Sequence, residues 1–168
     1  VLDYSNLQTG KTNAQELKEL QLELRIEPGR SLLNRTGITL AKVAHRKQDA
    51  KGQWLVGLEM NMTQMMSSSK DFLLDPFIIY KDSQESNTSV DVFFTGAYCL
   101  ERDVLLKRKI SLPTLPKIGD FVAFVNTAGY MMHFFETEAH LFDLSTNLFL
   151  SSQGDFTLTD FIDDNAIK

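Results

Sequence analysis

The chain has 168 residues, of which 43% are hydrophobic, enough to build one domain around an apolar core. Its formal net charge of -5 disfavours a role on nucleic acid or on an anionic membrane, because both need a basic face. No apolar run approaches the ~20 residues of a membrane-spanning helix. The single cysteine cannot form an internal disulfide, so we expect a cytoplasmic protein, and the three histidines lack the spacing of zinc ligands, so no metal site is predicted.

The first part of the chain has the pattern of a helix, a strand and a second short helix. Residues 14–20 place leucines on one face and charged residues on the other, which predicts a helix. Residues 22–26 alternate apolar and charged side chains, as a half-buried strand does, and residues 31–35 predict a helix of one or two turns. A strand that leads into a helix is typical of a parallel barrel. We therefore predict that residues 1–37 are the tail of a (β/α) barrel.

From residue 38 onward the pattern changes to short β-strands. Strands are predicted at residues 39–45, 54–58, 77–80, 90–94, 104–110, 121–125, 131–135, 140–142 and 148–150. A hairpin turn is expected at residues 49–52 and a last helix at residues 159–162. Many short strands that start about 10–15 residues apart indicate a barrel or sandwich. The sequence thus predicts a mainly β fold, a Greek-key β-barrel of about six strands, over residues 38–168.

The junction between the predicted early strand and helix carries the string Glu27-Pro28-Gly29-Arg30. Free backbone N–H groups and the helix dipole favour a phosphate at such a place. Gly29 permits close approach of the backbone, and Arg30 can add a charge-assisted hydrogen bond. Glu27 stands at the strand end, where barrel enzymes carry catalytic side chains. The string also fits an ordinary strand-to-helix turn.

The only cysteine, Cys99, lies in the segment 96–103, Gly-Ala-Tyr-Cys-Leu-Glu-Arg-Asp, between two predicted strands. A lone thiol beside Glu101 and Asp103 is a candidate reactive group. Taken alone, this segment favours the alternative that Cys99 is a small buried hydrophobe.

A third motif joins Gly119-Asp120, an apolar strand, and Ala128-Gly129-Tyr130. A phenol at the start of a strand can donate a hydrogen bond to a phosphate oxygen. Alternatively, Tyr130 is a half-buried barrel residue. A weaker signal is Tyr80, which follows an apolar pair and is alternatively a core tyrosine.

The order and spacing of these motifs resemble the C-terminal part of the pyridoxal-phosphate-dependent decarboxylases of the diaminopimelate and ornithine type, called fold type III. The resemblance spans roughly residues 22–141. It implies pyridoxal 5'-phosphate as cofactor, an amino acid as substrate, and a homodimer with its active site at the interface. It further implies that Glu27 contacts the pyridine nitrogen, and that Gly29, Arg30 and Tyr130 bind the phosphate.

The resemblance also gives the segment 96–103 a role across the dimer interface. In the family, the cysteine of this loop enters the partner's active site, and the acidic residue after it contacts the distal amine of the substrate. The resemblance therefore makes Cys99 the catalytic candidate. Leu100 holds the acidic position here and Glu101 follows it, so Glu101 and Tyr80 are the candidate substrate contacts.

None of the lysines here has the context of the family's Schiff-base lysine, which lies on an early strand of the barrel. We therefore expect this chain to be a C-terminal piece of a longer carbon–carbon lyase, inactive alone. Three alternatives stay open: a non-catalytic decarboxylase-like protein that dimerises and binds the same partners, a pyridoxal-phosphate-dependent racemase, and a separate β-barrel binding module in which residues 1–37 pack as part of the barrel.

Overall fold

The computed structural model describes residues 2–65, 74–82, 89–129, 132 and 136–158. The described helices are α1 (Asn13–Glu19) and α2 (Arg30–Leu33). The strands are β1 (Ile38–Gln48), β2 (Trp54–Leu58), β3 (Phe77–Ile79), β4 (Val90–Thr95), β5 (Ile110–Leu112), β6 (Phe121–Val125), β7 (Leu148–Leu150) and β8 (Phe156–Leu158). No helix in this part of the chain is long and apolar enough to cross a membrane.

Six strands form one curled sheet, a half-barrel, in the order β3-β6-β1-β2-β4-β5. Neighbouring strands are antiparallel except β2 and β4, which are parallel. The late strand β6 returns to lie between β1 and β3, as the long connection of a Greek key does. The predicted mainly β fold with about six strands is confirmed.

The two edge strands of the half-barrel are linked by side chains. Tyr80, directly after β3, donates its hydroxyl to the carbonyl oxygen of Thr114, just after β5, over 3.0 Å. Arg108, before β5, forms an ion pair with Asp75, before β3. These contacts bridge the open side of the sheet between its first and last strands.

The concave face of the half-barrel holds the hydrophobic core. Alternate residues of β1, β2, β4 and β6 point inward, as the period of two in a strand requires. Fully buried side chains from these strands are Val43, Val56, Leu58, Val92, Phe94, Val122 and Phe124. The rings of Phe94 and Phe124 meet edge to face, with centroids 6.2 Å apart.

The strand predicted at residues 22–26 is not formed. Leu22, Leu24 and Ile26 are 58%, 48% and 71% exposed, and no described strand pairs with this segment. Alternation makes a segment suitable for a sheet, but a strand also needs a neighbour to take its backbone hydrogen bonds.

The strand predicted at residues 104–110 is reduced to one bridge between Thr95 and Val104, and β5 begins only at Ile110. Leu105 and Leu106 are both buried, which two successive residues of a strand with one buried face cannot be. Residues 139–141 form a 3₁₀ turn rather than the start of a strand. The strand and helix predicted at residues 131–135 and 159–162 lie outside the described residues.

Only one strand of the hairpin formed by β7 and β8 is predicted from the sequence. The sequence predicts β7 at its observed bounds but not its partner, β8. The two strands pair antiparallel through a turn at residues 151–154. At the other end of the β region, β1 begins at Ile38, and the division into domains at residues 37 and 38 stays a prediction.

Candidate functional site

Residues 27–29 have no regular secondary structure and lead into α2, which begins at Arg30. The carbonyl oxygen of Gly29 accepts hydrogen bonds from the backbone N–H groups of Leu32 and Leu33, at 3.0 and 3.1 Å, and so starts the helix. The Glu27 side chain is exposed and has no hydrogen bond or ion pair within the described part of the chain. Its carboxylate is therefore available to an external donor.

The residues that follow α2 are fastened to the loop after β6. The N–H of Arg35 donates to Oδ1 of Asn126 over 2.7 Å, and the N–H of Thr127 donates to the carbonyl of Gly37 over 3.0 Å. A Cβ on Gly37 would lie 2.4 Å from the backbone nitrogen of Ala128, so only glycine allows this close packing. The segment that follows the first motif is thus brought against the third motif at one end of the sheet.

Two of the predicted phosphate-binding side chains are not among those that the structure describes. Tyr130 and the side chain of Arg30 lie outside the described residues. Their immediate neighbours are described: Gly29 is half-buried, and Gly129 has a φ of +76°, a left-handed conformation that favours glycine. The roles of Tyr130 and Arg30 stay predictions.

The loop 96–103, here named the Cys99 loop, is closed around the carboxylate of Asp103. This carboxylate is 2% exposed and accepts hydrogen bonds from the backbone N–H groups of Met62 and Tyr98, each at 2.8 Å. The N–H of Gly96 donates to the backbone carbonyl of Asp103 over 2.8 Å. A Cβ on Gly96 would lie 2.2 Å from the same carboxylate, which explains the glycine at the loop's start.

Burial raises the pKa of Asp103, while the hydrogen bonds from Tyr98 and Met62 act in the opposite direction. Asp103 faces into the protein and shapes the loop. Cys99 and Glu101, by contrast, are exposed at its tip, so the alternative of a buried Cys99 is wrong. Leu100, between them, is 40% exposed.

The other aspartate of the motifs also has a structural role. Asp120 is 2% exposed and accepts hydrogen bonds from the backbone N–H groups of Lys81 and Lys117, at 3.0 and 2.7 Å. Burial, and then the nearby charge of Asp120, raise the pKa of Tyr80. The resemblance predicts that the Tyr80 hydroxyl contacts the substrate. In the structure this hydroxyl is hydrogen-bonded to Thr114, in the contact between the two edge strands.

Sequence reasoning missed an aromatic cluster beside the Cys99 loop. The ring of Tyr98 packs on His140 and Phe142, with centroid distances of 4.9 and 5.7 Å. Next to it is a cleft of about 460 Å³ that Phe142 lines together with Asn61 and Ala97. No sequence pattern signals the cluster, because its members come from segments about 40 residues apart. Among the described residues, no three acidic, histidine or cysteine side chains are grouped to hold a metal ion.

Comparison with known proteins begins at the level of sequence. No protein-family model matches the chain. An uncharacterized protein y4yA of Sinorhizobium fredii is 27% identical over 139 residues, which are 81% of this chain and 30% of that protein. The diaminopimelate decarboxylase of Buchnera aphidicola is 31% identical over 121 residues, 66% of this chain and 28% of that enzyme. This chain is a relative of the diaminopimelate-type decarboxylases.

The structural comparison of this decarboxylase relative agrees with the sequence comparison. The crystal structure of a carboxynorspermidine decarboxylase complexed with norspermidine, from Campylobacter jejuni, matches it with a TM-score of 0.66 at 18% identity, over 86% of this chain and 41% of that one. The chain spans about 30% of the length of the curated relatives. The resemblance predicted from the motifs is confirmed, and this partial span is consistent with a C-terminal part.

Proposed function

We propose that this decarboxylase relative is the C-terminal domain of a pyridoxal-phosphate-dependent amino acid decarboxylase that works as a homodimer. The observation that carries the proposal is the junction of Arg35 and Gly37 with Asn126 and Thr127. It fastens the segment after Glu27-Pro28-Gly29-Arg30 to the residues just before Tyr130, as a common cofactor pocket requires.

The residues present fit the cofactor. Glu27 offers an exposed carboxylate without a partner among the described residues, and it would hold a proton on the pyridine nitrogen. The backbone N–H group of Ser31, in the first turn of α2, has no acceptor in the described structure and would donate to the phosphate, together with the hydroxyl of Tyr130. When bound, pyridoxal phosphate supplies an electron sink for the electron pair released as CO₂ leaves.

Cys99 and Glu101 would act in the neighbouring subunit. Both side chains are exposed at the tip of the Cys99 loop, and within the described part of one chain no hydrogen bond or ion pair joins this loop to residues 27–30. In the dimer, Cys99 would lie near the reacting carbon as a proton donor or steric guide. Leu100 cannot hold an ammonium group, so the far end of the substrate would meet an apolar side chain, with Glu101 beside it.

The proposal is tested in the full-length protein supplied with pyridoxal phosphate and a panel of amino acids. We expect CO₂ release from at least one amino acid, and we expect Glu27→Gln to lower turnover about 100-fold or more, the size typical of a positioned acid–base group. Because Glu27 is exposed, its loss should leave the urea midpoint unchanged. Glu23→Gln, an exposed carboxylate that among the described residues pairs with Arg25 alone, is the matched control and should leave turnover unchanged. Full activity of the Glu27 variant would refute the assignment.

A second candidate is a non-catalytic relative that dimerises and binds the same cofactor or amino acid. The observation that favours it is Leu100, an exposed apolar residue at the position where the resemblance expects an acid. This candidate predicts a dimer that binds pyridoxal phosphate and releases no CO₂ from any amino acid of the panel.

A further inference from the structure

Tyr98, the residue before Cys99, makes contacts with a segment outside the Cys99 loop. Tyr98 is half-buried, and its ring lies against two aromatic rings of a later segment, at 4.9 Å from His140 and 5.7 Å from Phe142. His140 and Phe142 also stack on each other, with centroids 6.4 Å apart. The Tyr98 hydroxyl lies 3.3 Å from Oγ1 of Thr137, so all the side-chain contacts described here for Tyr98 are with residues 137–142.

This later segment, residues 136–145, forms a closed loop, here named the strap. Its two ends meet where the carboxylate of Glu136 accepts hydrogen bonds from the N–H and the hydroxyl of Ser145, at 2.5 and 2.9 Å. Gln64 donates to the same carboxylate over 2.9 Å and to the backbone carbonyl of Asp143 over 3.2 Å. Hydrogen bonds therefore fix both ends of the strap and join it to the segment after β2.

The tip of the strap has an unusual backbone. His140 and Leu141 are both left-handed, with φ of 62° and 59°, although neither is glycine. Such residues persist only where surrounding contacts hold them. The side chain of Leu141 is 95% exposed and gains little from this conformation, whereas the rings on either side of it reach Tyr98.

We propose that the strap positions Cys99, and that Tyr98 is the positioning residue through which it acts. The backbone N–H of Tyr98 is bound to Asp103 and its ring is bound to the strap, so both ends of the residue preceding Cys99 are held. This leaves little freedom for the direction in which the thiol points. The inference rests on the proposed function of Cys99 for its catalytic meaning, but the mechanical coupling is measurable without it.

Hydrogen–deuterium exchange of the full-length protein tests this coupling, read on the peptide that spans residues 96–103. In the double variant His140→Ala with Phe142→Ala, the sequence of this peptide is unchanged, so any difference reports its dynamics. Loss of the ring contacts should speed its amide exchange about 3- to 10-fold. Leu141→Ala, between the two changed residues, is the control, and its exchange should stay within about twofold of the parent.

Two further variants separate positioning from general destabilisation. Phe142→Tyr keeps the ring and should restore slow exchange, whereas Phe142→Ala alone replaces the double variant if the latter does not fold. The urea midpoint should change little in the variants that show faster loop exchange. Equal exchange of residues 96–103 in the alanine variants and in Leu141→Ala would overturn the proposal.

The two proposals fail in different ways. If Cys99→Ala keeps full turnover while the alanine variants speed loop exchange, the catalytic role of Cys99 is lost and the coupling to the strap stands. If Cys99→Ala lowers turnover while loop exchange is unchanged, the proposed function stands and the coupling is lost.

Discussion

Asp103 accepts hydrogen bonds from the N–H groups of Met62 and Tyr98 while only 2% of its surface is exposed. In Asp103→Asn, one of these N–H groups would face an amide NH₂ instead of an oxygen. We expect a loss of about 1–3 kcal/mol in the free energy of unfolding, the cost of a buried donor left unpaired. Urea unfolding measures it, and Glu101→Gln on the same loop should change the free energy by less than about 0.5 kcal/mol.

The same carboxylate predicts a direction of pH dependence. Burial raises the pKa of folded Asp103 above the unfolded value of about 3.9, so the folded chain binds this proton more tightly. Its contribution to stability is fully present below the unfolded pKa and is lost as the pH rises through the folded pKa. The difference in unfolding free energy between the parent and Asp103→Asn should therefore shrink as the pH rises from this region. A difference that grows with pH would mean that the two N–H donors outweigh burial.

For single residues, the sequence predicts some features of the motifs and misses others. The glycine at position 96 fits its motif, because a Cβ there would lie 2.2 Å from the carboxylate of Asp103. The inward role of Asp103 does not follow from the motif, since nothing in a string of eight letters tells which of its two carboxylates turns toward the protein. The contact of Tyr98 with the strap depends on tertiary packing alone.

Among the elements, the contact between the residues that follow β3 and β5 gives Tyr80 a structural role. Its hydroxyl donates to the carbonyl of Thr114, so Tyr80→Phe should lower the free energy of unfolding by about 0.5–1.5 kcal/mol. If this contact is its main role, KM for the substrate should not change. Tyr4→Phe, at a tyrosine that is 73% exposed, is the control. A raised KM with unchanged stability would instead place Tyr80 at the substrate, as the resemblance implies.

The strands that the sequence predicts best are those with a local signal. The turn at residues 49–52 fixes the hairpin of β1 and β2, and apolar runs mark β4 and β6. Residues 22–26 carry an equally good alternation and still form no strand, because alternation says nothing about the neighbour. The pairing of β6 with β1 and β3 joins segments far apart in sequence, so the sheet order was not predictable from the chain alone.

For the molecule as a whole, the outer face of the half-barrel is unusually apolar. Ile38 and Leu40 of β1 and Phe77 and Ile79 of β3 are each between 51% and 66% exposed, and β6 runs between these two strands. Contiguous apolar surface of this kind marks sites of interaction with other protein. It supports the proposal that the domain acts within a larger assembly.

The order of the three motifs along the chain was sufficient to predict the family, and the comparisons confirm it. The structure adds the junction of Gly37 with Ala128, which places the segment after the first motif against the third motif. The remaining motif, the Cys99 loop, meets neither of them through a hydrogen bond or ion pair in the described part of one chain. In the proposed function, the shared site takes this loop from a second subunit, and this is the central claim of the proposal.

Mixing two inactive variants tests that claim most directly. Full-length Glu27→Gln and Cys99→Ala proteins are unfolded together, refolded at equal concentrations and assayed for CO₂ release. In a symmetric dimer whose sites each take Glu27 from one subunit and Cys99 from the other, half of the dimers are mixed and each mixed dimer has one intact site. The account predicts recovery of about a quarter of the parent activity. Activity no higher than that of the separate variants would show that both residues serve the same subunit's site, or none.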